Sequence, residues 1–513
     1  MNPVFVGVIS FTPKTVVSSE LRRVPNAEIM KTETITHLKS AFDWPLAYDA
    51  EGILRQFVVS FLECNQFSNN LAKRMSAETG TDFYEWVDHF SLGPDAVEQL
   101  LSVGLVPEQV DTPPNVKAYY HPRAMMPRIL VHRDGSLRGT PRNLAIRPES
   151  IIDFVAKNNL GTEIHGEFGS RLRTALVAEE EGHNFFALER LAYRGFAERP
   201  ATPRFGLAIT TARELWRTRR RDLADDALGV THAFEVQDEA LALVGPEVAC
   251  DLFFAEERNY WEFRNLAGRI QKRRQDSMGL GWGNHDHHTF RCSRRFFADL
   301  IEFFCRFGFE KRERYYAGVE AGWGAQILEH HPTGITVFAD VDLMPEETAI
   351  DFSKERLLLA APRLGTVGLW CGLHGDSLLQ GGMHHLEARF DFSLLRDQLA
   401  KEGVNSMKPF SDFPFLRQAF TEGERWQVKE ERIRALLSAG LITQEQSSVF
   451  KTSGAIGSHL ENLERKGGFK GFNQKSVSAI IEATDPRSLV LKQDSSTERS
   501  TERKPSLSVP GTN

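Results

Sequence analysis

Apolar residues recur at helical spacing between Glu51 and Met75, at Ile53, Leu54, Phe57, Val58, Phe61 and Leu62, with no Gly or Pro after Gly52. This spacing predicts one helix there. The period changes after Thr79-Gly80-Thr81. Trp86-Val87-Asp88-His89-Phe90-Ser91-Leu92 alternates as a half-buried strand does, and Pro94-Asp95 then opens a short amphipathic helix ending near Gly104. The strand-then-helix unit returns at Asn143 to Arg147 with the helix Glu149 to Asn158, then strands Arg171 to Ala178 and His183 to Leu191 around the turn Glu179-Glu180-Glu181-Gly182. A third occurrence runs from the strand His287 to Ser293 through the helix Arg294 to Phe307 and the Gly308 stop. Its strands are Lys311 to Tyr316, Ala325 to Glu329 and Ile335 to Asp342. A fourth starts at His384-His385-Leu386-Glu387-Ala388-Arg389-Phe390 and enters the helix Phe392 to Lys401.

These occurrences read as copies of a βαβββ unit, the fourth elaborated by helices between Phe410 and Gln446. The repeat is one of structural rhythm, since identity between copies is negligible. The expected organisation is an α+β protein. Residues 1–200 carry a helical segment and the first pair of units, and 201–284 form a helical connector with helix-rich stretches at Thr211 to Asp226 and Val248 to Asp276. Residues 285–485 carry the second pair. The tail 486–513, rich in Ser, Thr, Lys, Arg and Glu with a repeated Ser-Thr-Glu-Arg, has too few apolar residues to offset ordering entropy and is expected to be disordered.

Composition narrows the function classes. The 513 residues are 41% hydrophobic and 26% charged, as in ordinary globular chains. The net charge of -7 gives no basic excess of the kind nucleic-acid binders use. No segment approaches the ~20 uninterrupted apolar residues of a membrane span, and Met1 to Val17 lacks a secretory signal pattern, which predicts a soluble, cytoplasmic protein with no membrane partner. The five cysteines are scattered and never form Cys-x-x-Cys, so neither a disulfide framework nor a thiolate zinc site is suggested and reduced thiols are expected.

The histidines do cluster, at His285, His287 and His288, at His330 and His331, and at His384 and His385. A non-haem iron commonly takes two histidines and one carboxylate on one face, leaving positions open for substrate and oxygen. Adjacent histidines on a strand point to opposite faces, so His287 shares a face with Thr289 and Arg291. That places an imidazole beside a guanidinium able to hold a substrate carboxylate bidentately; a hydrogen-bonded strand-end histidine with Arg291 in an ion pair is the plainer alternative. His385 opens the fourth unit in the same way, with Glu387 and Arg389 on its face. The third ligand must come from later in the chain. Ser458 to Gly467 offers Glu461 or Glu464, with strand and helix both open for that segment.

Four segments carry a resemblance. Asp286-His287-x-x-Phe290-Arg291, Val337-Phe338-Ala339-Asp340-Val341-Asp342-Leu343, His384-His385-Leu386-x-x-Arg389, and Gly457-Ser458-His459 followed by Glu461 through Gly467 resemble the 2-oxoadipate dioxygenase/decarboxylase family in order and setting. That family belongs to the vicinal-oxygen-chelate superfamily, built from βαβββ units. Its members bind Fe(II) and convert a 2-oxo acid with oxygen into a 2-hydroxy acid and carbon dioxide. The resemblance spans roughly Gly279 to Arg487. It implies that His287 and His385 are iron ligands, that Glu461, with Glu464 as the other choice, is the third, and that Arg291 anchors the substrate carboxylate. The family's Asn before the second histidine is His384 here and its following Thr is Glu387, and residues 1–200 lie outside the match, which leaves a different substrate open. Two other readings stay open: a non-catalytic ligand-binding or assembly protein on the same scaffold, and a non-redox metal-dependent isomerase or lyase. A homo-oligomer is also left open.

Other signals are set aside. Glu180-x-x-His183 has di-iron spacing but contains Gly182 and reads as a β-turn. His89 and Glu189 lack a third ligand at the Asn143 strand and read as a structural or dimerisation copy of the metal pair. Gly279-x-Gly281-x-Gly283 lacks a preceding strand and reads as a flexible lead-in. The arginines between Arg217 and Arg221 read as a solvated helix face. His330-His331 reads as a hairpin turn, and His374-Gly375-Asp376-Ser377 as outer support for His385.

Overall fold

In the computed structural model, which describes residues 44–135, 137, 141–317, 322–357, 364–473 and 484–487, Asn65 divides the first helical stretch into α1 (Tyr48–Cys64) and α2 (Gln66–Thr79). The single helix expected from spacing is broken because the Asn65 side chain accepts the Ser68 N–H at 2.9 Å, and an N-cap of this kind starts a new helix. The 486–513 tail falls outside the described residues apart from its first two.

The βαβββ rhythm is realised four times. The first unit is β1 (Val87–Leu92), α3 (Val97–Ser102), β2 (Val106–Pro107), β3 (Val116–Tyr120) and β4 (Arg128–His132). The second is β5 (Asn143–Ile146), α4 (Ile151–Lys157), β6 (Ile164–His165), β7 (Leu172–Glu180) and β8 (His183–Arg190). Helices α5 (Pro203–Thr218), α6 (Asp226–Phe263) and α7 (Leu266–Asp276) follow, α6 being kinked at Gly245-Pro246, where Gly245 has φ 77°. The third unit is β9 (His285–Arg291), α8 (Phe297–Arg306), β10 (Glu310–Tyr316), β11 (Trp323–His330) and β12 (Ile335–Asp342), and α9 (Thr366–His374) comes next. The fourth is β13 (His385–Arg389), α10 (Phe392–Lys401), β14 (Ser411–Phe413), β15 (Leu416–Phe420) and β16 (Glu424–Trp426). It continues through α11 (Glu430–Ser438) and α12 (Gln444–Ser453) to β17 (Ala455–Arg465). Its first inserted residues are therefore strands, and the expected helices begin only at Glu430.

Each unit has one wiring. The first strand leads through a helix to an edge strand, and the chain meanders back until the last strand lies parallel against the first, as in β1·β4, β5·β8, β9·β12 and β13·β17. Units then pair through their first strands, antiparallel, as β1·β5 and β9·β13. The result is two sheets, ordered β2-β3-β4-β1-β5-β8-β7-β6 and β10-β11-β12-β9-β13-β17-β15-β14, with β16 on β17. This is an α+β architecture of tandem βαβββ units with helical insertions.

One face of the second sheet packs on α6 and α8 through phenylalanines: Phe253 lies 5.3 Å from Phe303 between ring centroids, and Phe290 lies 5.1 Å from Phe304. This closed aromatic layer leaves the opposite face free to carry chemistry. Phe253→Ala is expected to lower unfolding free energy by about 3–5 kcal/mol, because the emptied volume cannot refill. A urea midpoint shift at unchanged slope is the check.

Two expectations are corrected here. The arginine run is solvated only at Arg217 and Arg220: α5 ends at Thr218, and Arg219 and Arg221 pair with the buried Glu257 at 2.8 and 2.6 Å. Their partner lies on α6, beyond the reach of a local charge pattern. The glycine run is no flexible lead-in either. Gly279 has φ +71° and a Cβ there would stand 2.5 Å from the Phe154 Cα, while the Trp282 N–H donates to Glu149 at 2.8 Å. Glycine is needed because this segment packs directly on the start of α4. Among the described residues no helix is long and apolar enough to cross a membrane.

Candidate metal centre

Strands β9 and β13 lie side by side at the middle of the second sheet, and alternate side chains leave opposite faces of a strand. Phe290 and His288 go to the helical side, where the His288 ring meets Phe254 at 5.0 Å. His287, Thr289 and Arg291 therefore go to the other face, where they line a cavity. His385 stands opposite Thr289 in the antiparallel pair, and Glu387 stands level with Glu461 in the parallel pair β13·β17. Ser458 to Arg465 is strand rather than helix because Gly457 through Leu463 are all buried, as a strand covered on both faces requires.

Three side chains from separated strands converge on this face. Glu461 Oε2 lies 3.0 Å from His385 Nε2 and 4.0 Å from His287 Nε2. One ligand atom from each of the three lies within 4.8 Å of the others. Atoms bound to one ion at about 2.0–2.2 Å stand roughly 3–4 Å apart, so the set suits a single metal held from one side. The donor chemistry, two neutral imidazoles and one carboxylate, suits a divalent first-row metal.

The ligand atoms are oriented from behind. His287 Nδ1 contacts Glu387 and lies 3.4 Å from Asp286, which turns Nε2 toward Glu461. Gln418 Nε2 donates to both Glu461 at 2.9 Å and Glu387 at 3.1 Å. Behind His385 its Nδ1 lies 3.0 Å from the His384 Nδ1, so one ring donates to the other, while Thr289 Oγ1 lies 2.8 Å from His385 Nε2 on the cavity side. Asp286 is held by Arg465 at 2.9 Å. Partners of this kind fix ring orientation and raise ligand basicity.

Burial dominates the electrostatics. It pushes the Glu461 carboxyl up to about 7, against the nearby His287, and it pushes Glu387 well up, helped by the negative charges of Glu461 and Asp286. Burial also opposes the Asp286 anion, yet the Arg465 guanidinium holds that carboxyl below the usual range. Burial likewise lowers His385 to about 3, with Arg291 adding to the effect, so the imidazole is neutral and its lone pair free for a metal. Two buried carboxylates sharing one Gln418 donor are what a dication would neutralise.

The cavity encloses about 760 Å³ of free space, part of it open to solvent. Its walls are mainly aromatic. Phe338 lies 4.4 Å from His287 and Phe420 4.9 Å from His385 between ring centroids, and Tyr315, Trp323, Phe410 and Phe472 complete them. Arg291 is the only Arg or Lys among the lining residues. It is 5% exposed, and its Nε and Nη1 have no hydrogen-bond partner. Asp340, on the same wall, is pushed up to about 7 by burial although Arg291 draws it down. The plainer alternative, Arg291 in an ion pair, is not met within 4 Å among the described residues, so the guanidinium is left to face the cavity.

Glu464 does not reach the centre. It accepts the Phe392 N–H at 3.2 Å and lies 2.8 Å from Lys466. Residues His374 to Ser377 do not support His385: His374 lies 3.1 Å from the Ile456 carbonyl, Asp376 accepts from the Ser293 hydroxyl at 2.9 Å, and Ser377 Oγ accepts the Arg291 backbone N–H at 2.8 Å. They pin the end of β9 that carries Arg291. In the first sheet, His89 lies 2.8 Å from Asp88, while Glu189 accepts the Ile151 N–H at 3.0 Å and lies 3.3 Å from Arg173, so the two do not meet. The 180–183 segment is the β7·β8 hairpin, with Glu181 and Gly182 at positive φ, and His330 is buried in the β11·β12 hairpin. Asp286, Gln418, Glu387 and Arg465 were not read as outer partners from sequence. The first adjoins His287 and was visible in principle, whereas Gln418 carried no signal.

Glu387→Gln is expected to weaken metal binding by about 10–100-fold, because it removes the carboxylate behind His287. Competition with a chelator of known affinity measures this.

No family model matches the chain, and no curated protein does. Among solved structures, a mutant of 4-hydroxymandelate synthase from Streptomyces coelicolor aligns with 79% of this chain and 99% of its own, at 13% identity and TM-score 0.26. A putative hydrolase from Shewanella frigidimarina covers 41% of this chain and 91% of its own, at 12% identity and TM-score 0.29. Methylmalonyl-CoA epimerase from Mycobacterium tuberculosis covers 36% of this chain and 88% of its own, at 13% identity and TM-score 0.21. The chemistry rests on the residues of this chain.

Proposed function

We propose that His287, His385 and Glu461 hold one Fe(II) and that the protein is a dioxygenase/decarboxylase of a small 2-oxo acid, 2-oxoadipate-like in its head group. The observation that carries this reading is the convergence of two imidazoles and one carboxylate within 4.8 Å on the cavity face of one sheet. Bound there with open positions, Fe(II) supplies the redox chemistry that turns a 2-oxo acid and oxygen into a 2-hydroxy acid one carbon shorter and carbon dioxide.

The chain's own residues bind, orient and exclude water. Arg291 takes a substrate carboxylate, which satisfies the two guanidinium nitrogens that lack partners. Asp286 and Glu387 both stand against His287 Nδ1 and favour the tautomer that leaves Nε2 free. Phe338 and Phe420 flank the two histidines and keep bulk water from the reacting end.

The test is oxygen uptake by iron-loaded protein with a panel of 2-oxo acids. The expected result is uptake with equimolar carbon dioxide and 2-hydroxy acid, absent after zinc replaces iron. Turnover of a substrate without oxygen uptake would assign a non-redox lyase or isomerase instead. Arg291→Met is expected to raise KM by about 30-fold or more, since losing one partner of a buried charged hydrogen bond costs about 2–5 kcal/mol.

A further inference from the structure

A second, larger cavity lies between the two sheets, with about 1600 Å³ of free space partly open to solvent. The start of β1 and the ends of β5 and β8 wall one side. The start of β9, the β11–β12 hairpin and the end of β13 wall the other. Its acids are already paired: Asp88 with Arg190 at 2.8 Å, Glu85 with Arg389 at 3.0 Å, Asp286 with Arg465 at 2.9 Å and Glu329 with Lys470 at 2.9 Å.

What remains unpaired is donors. Arg147 makes no side-chain hydrogen bond or ion pair among the described residues, although it is half-buried. Tyr84, 6% exposed, has a hydroxyl without a hydrogen-bond partner, Trp86, 1% exposed, has an indole N–H without one, and Arg389 Nε has none either, with Asp286 4.0 Å away. All four line this cavity. Buried donors left without acceptors point to a missing acceptor, and a half-buried guanidinium that Asp88 and Asp251 attract without approaching within 4 Å has room for an anion. The space far exceeds a bare ion.

We propose that this cavity is a second binding site, for the phosphate or carboxylate group of a small molecule, anchored by Arg147 with Tyr84 and Arg389 as flanking donors. Asp286 lines the cavity and lies 3.4 Å from His287, so the occupant would sit behind the metal-side histidine without touching the catalytic cavity.

The test is calorimetric titration of the full-length protein with inorganic phosphate and, separately, malonate, at constant ionic strength. A saturable site that survives Arg291→Met, whose missing cation belongs to the other cavity, is expected, weakened at least 10-fold in Arg147→Met. Tyr84→Phe, a milder change that removes one hydroxyl, is expected to weaken binding about 3–10-fold. The stronger of the two anions identifies the group. Absence of saturable binding by either, or binding undiminished in both Arg147→Met and Tyr84→Phe, would overturn the proposal, as would its loss in folded Arg291→Met.

Discussion

Between pH 6.5 and pH 4.5 three buried imidazoles of the metal-free protein are expected to withdraw roughly 7 kcal/mol of stability, a loss opposed by Glu85, Asp340, Asp342 and Glu461, whose carboxyls burial raises to about 6–7 so that they take up protons in the fold over the same range. The cause is a set of buried imidazoles. Burial lowers His330 to about 4 and His374 and His459 to about 3, in each case against a hydrogen bond to a backbone carbonyl that favours the proton. In the unfolded chain each histidine takes up a proton near pH 6.5. Below that pH the unfolded state binds histidine protons that the folded state refuses, so the contribution of these rings is fully present above pH 6.5 and falls until the pH reaches the folded values. Three such groups give a slope of about 4 kcal/mol per pH unit. Denaturant titrations followed by circular dichroism at half-unit pH steps, with chelator present, measure it. His330→Asn is expected to change the slope by about one proton relative to the wild type, in the direction of greater stability at low pH. A His330→Asn slope identical to that of the wild type over this range would show that the His330 ring is protonated in the fold.

The second large effect separates two glutamates three residues apart. Glu461→Ala is expected to bring oxygen uptake to background and to weaken metal binding beyond the roughly 10–100-fold of an outer partner. Glu464→Ala is expected to leave both unchanged, because Glu464 faces Lys466 and caps the start of α10. Circular dichroism and melting temperature establish that both variants fold. Loss of metal binding in Glu464→Ala, with Glu461→Ala intact, would reverse the assignment.

Much of this architecture was legible because the units are short and each begins with an alternating strand followed by an amphipathic helix. His287, Thr289 and Arg291 could be placed on one face from the two-residue period alone. The choice between Glu461 and Glu464 could not, since strand and helix both accommodate that segment until neighbouring strands β13 and β15 bury it. The Asn65 break was hidden because an Asn inside a helical pattern is read as a weak helix residue, whereas its capping role depends on the backbone it adopts. Arg219 and Arg221 were misread for a different reason: Glu257 is separated from Arg219 by 38 positions and approaches only when α6 packs beside the end of α5. Long-range partners of this sort, Gln418 beneath Glu461 among them, leave no local trace.

The most direct measurement is the iron content of protein prepared without oxygen, taken together with that of His287→Ala and His385→Ala. One iron per chain is predicted, with none retained in either variant while both keep their secondary structure. A fully folded wild-type chain that takes up no stoichiometric metal, or variants that hold it as tightly as the wild type, would contradict the account.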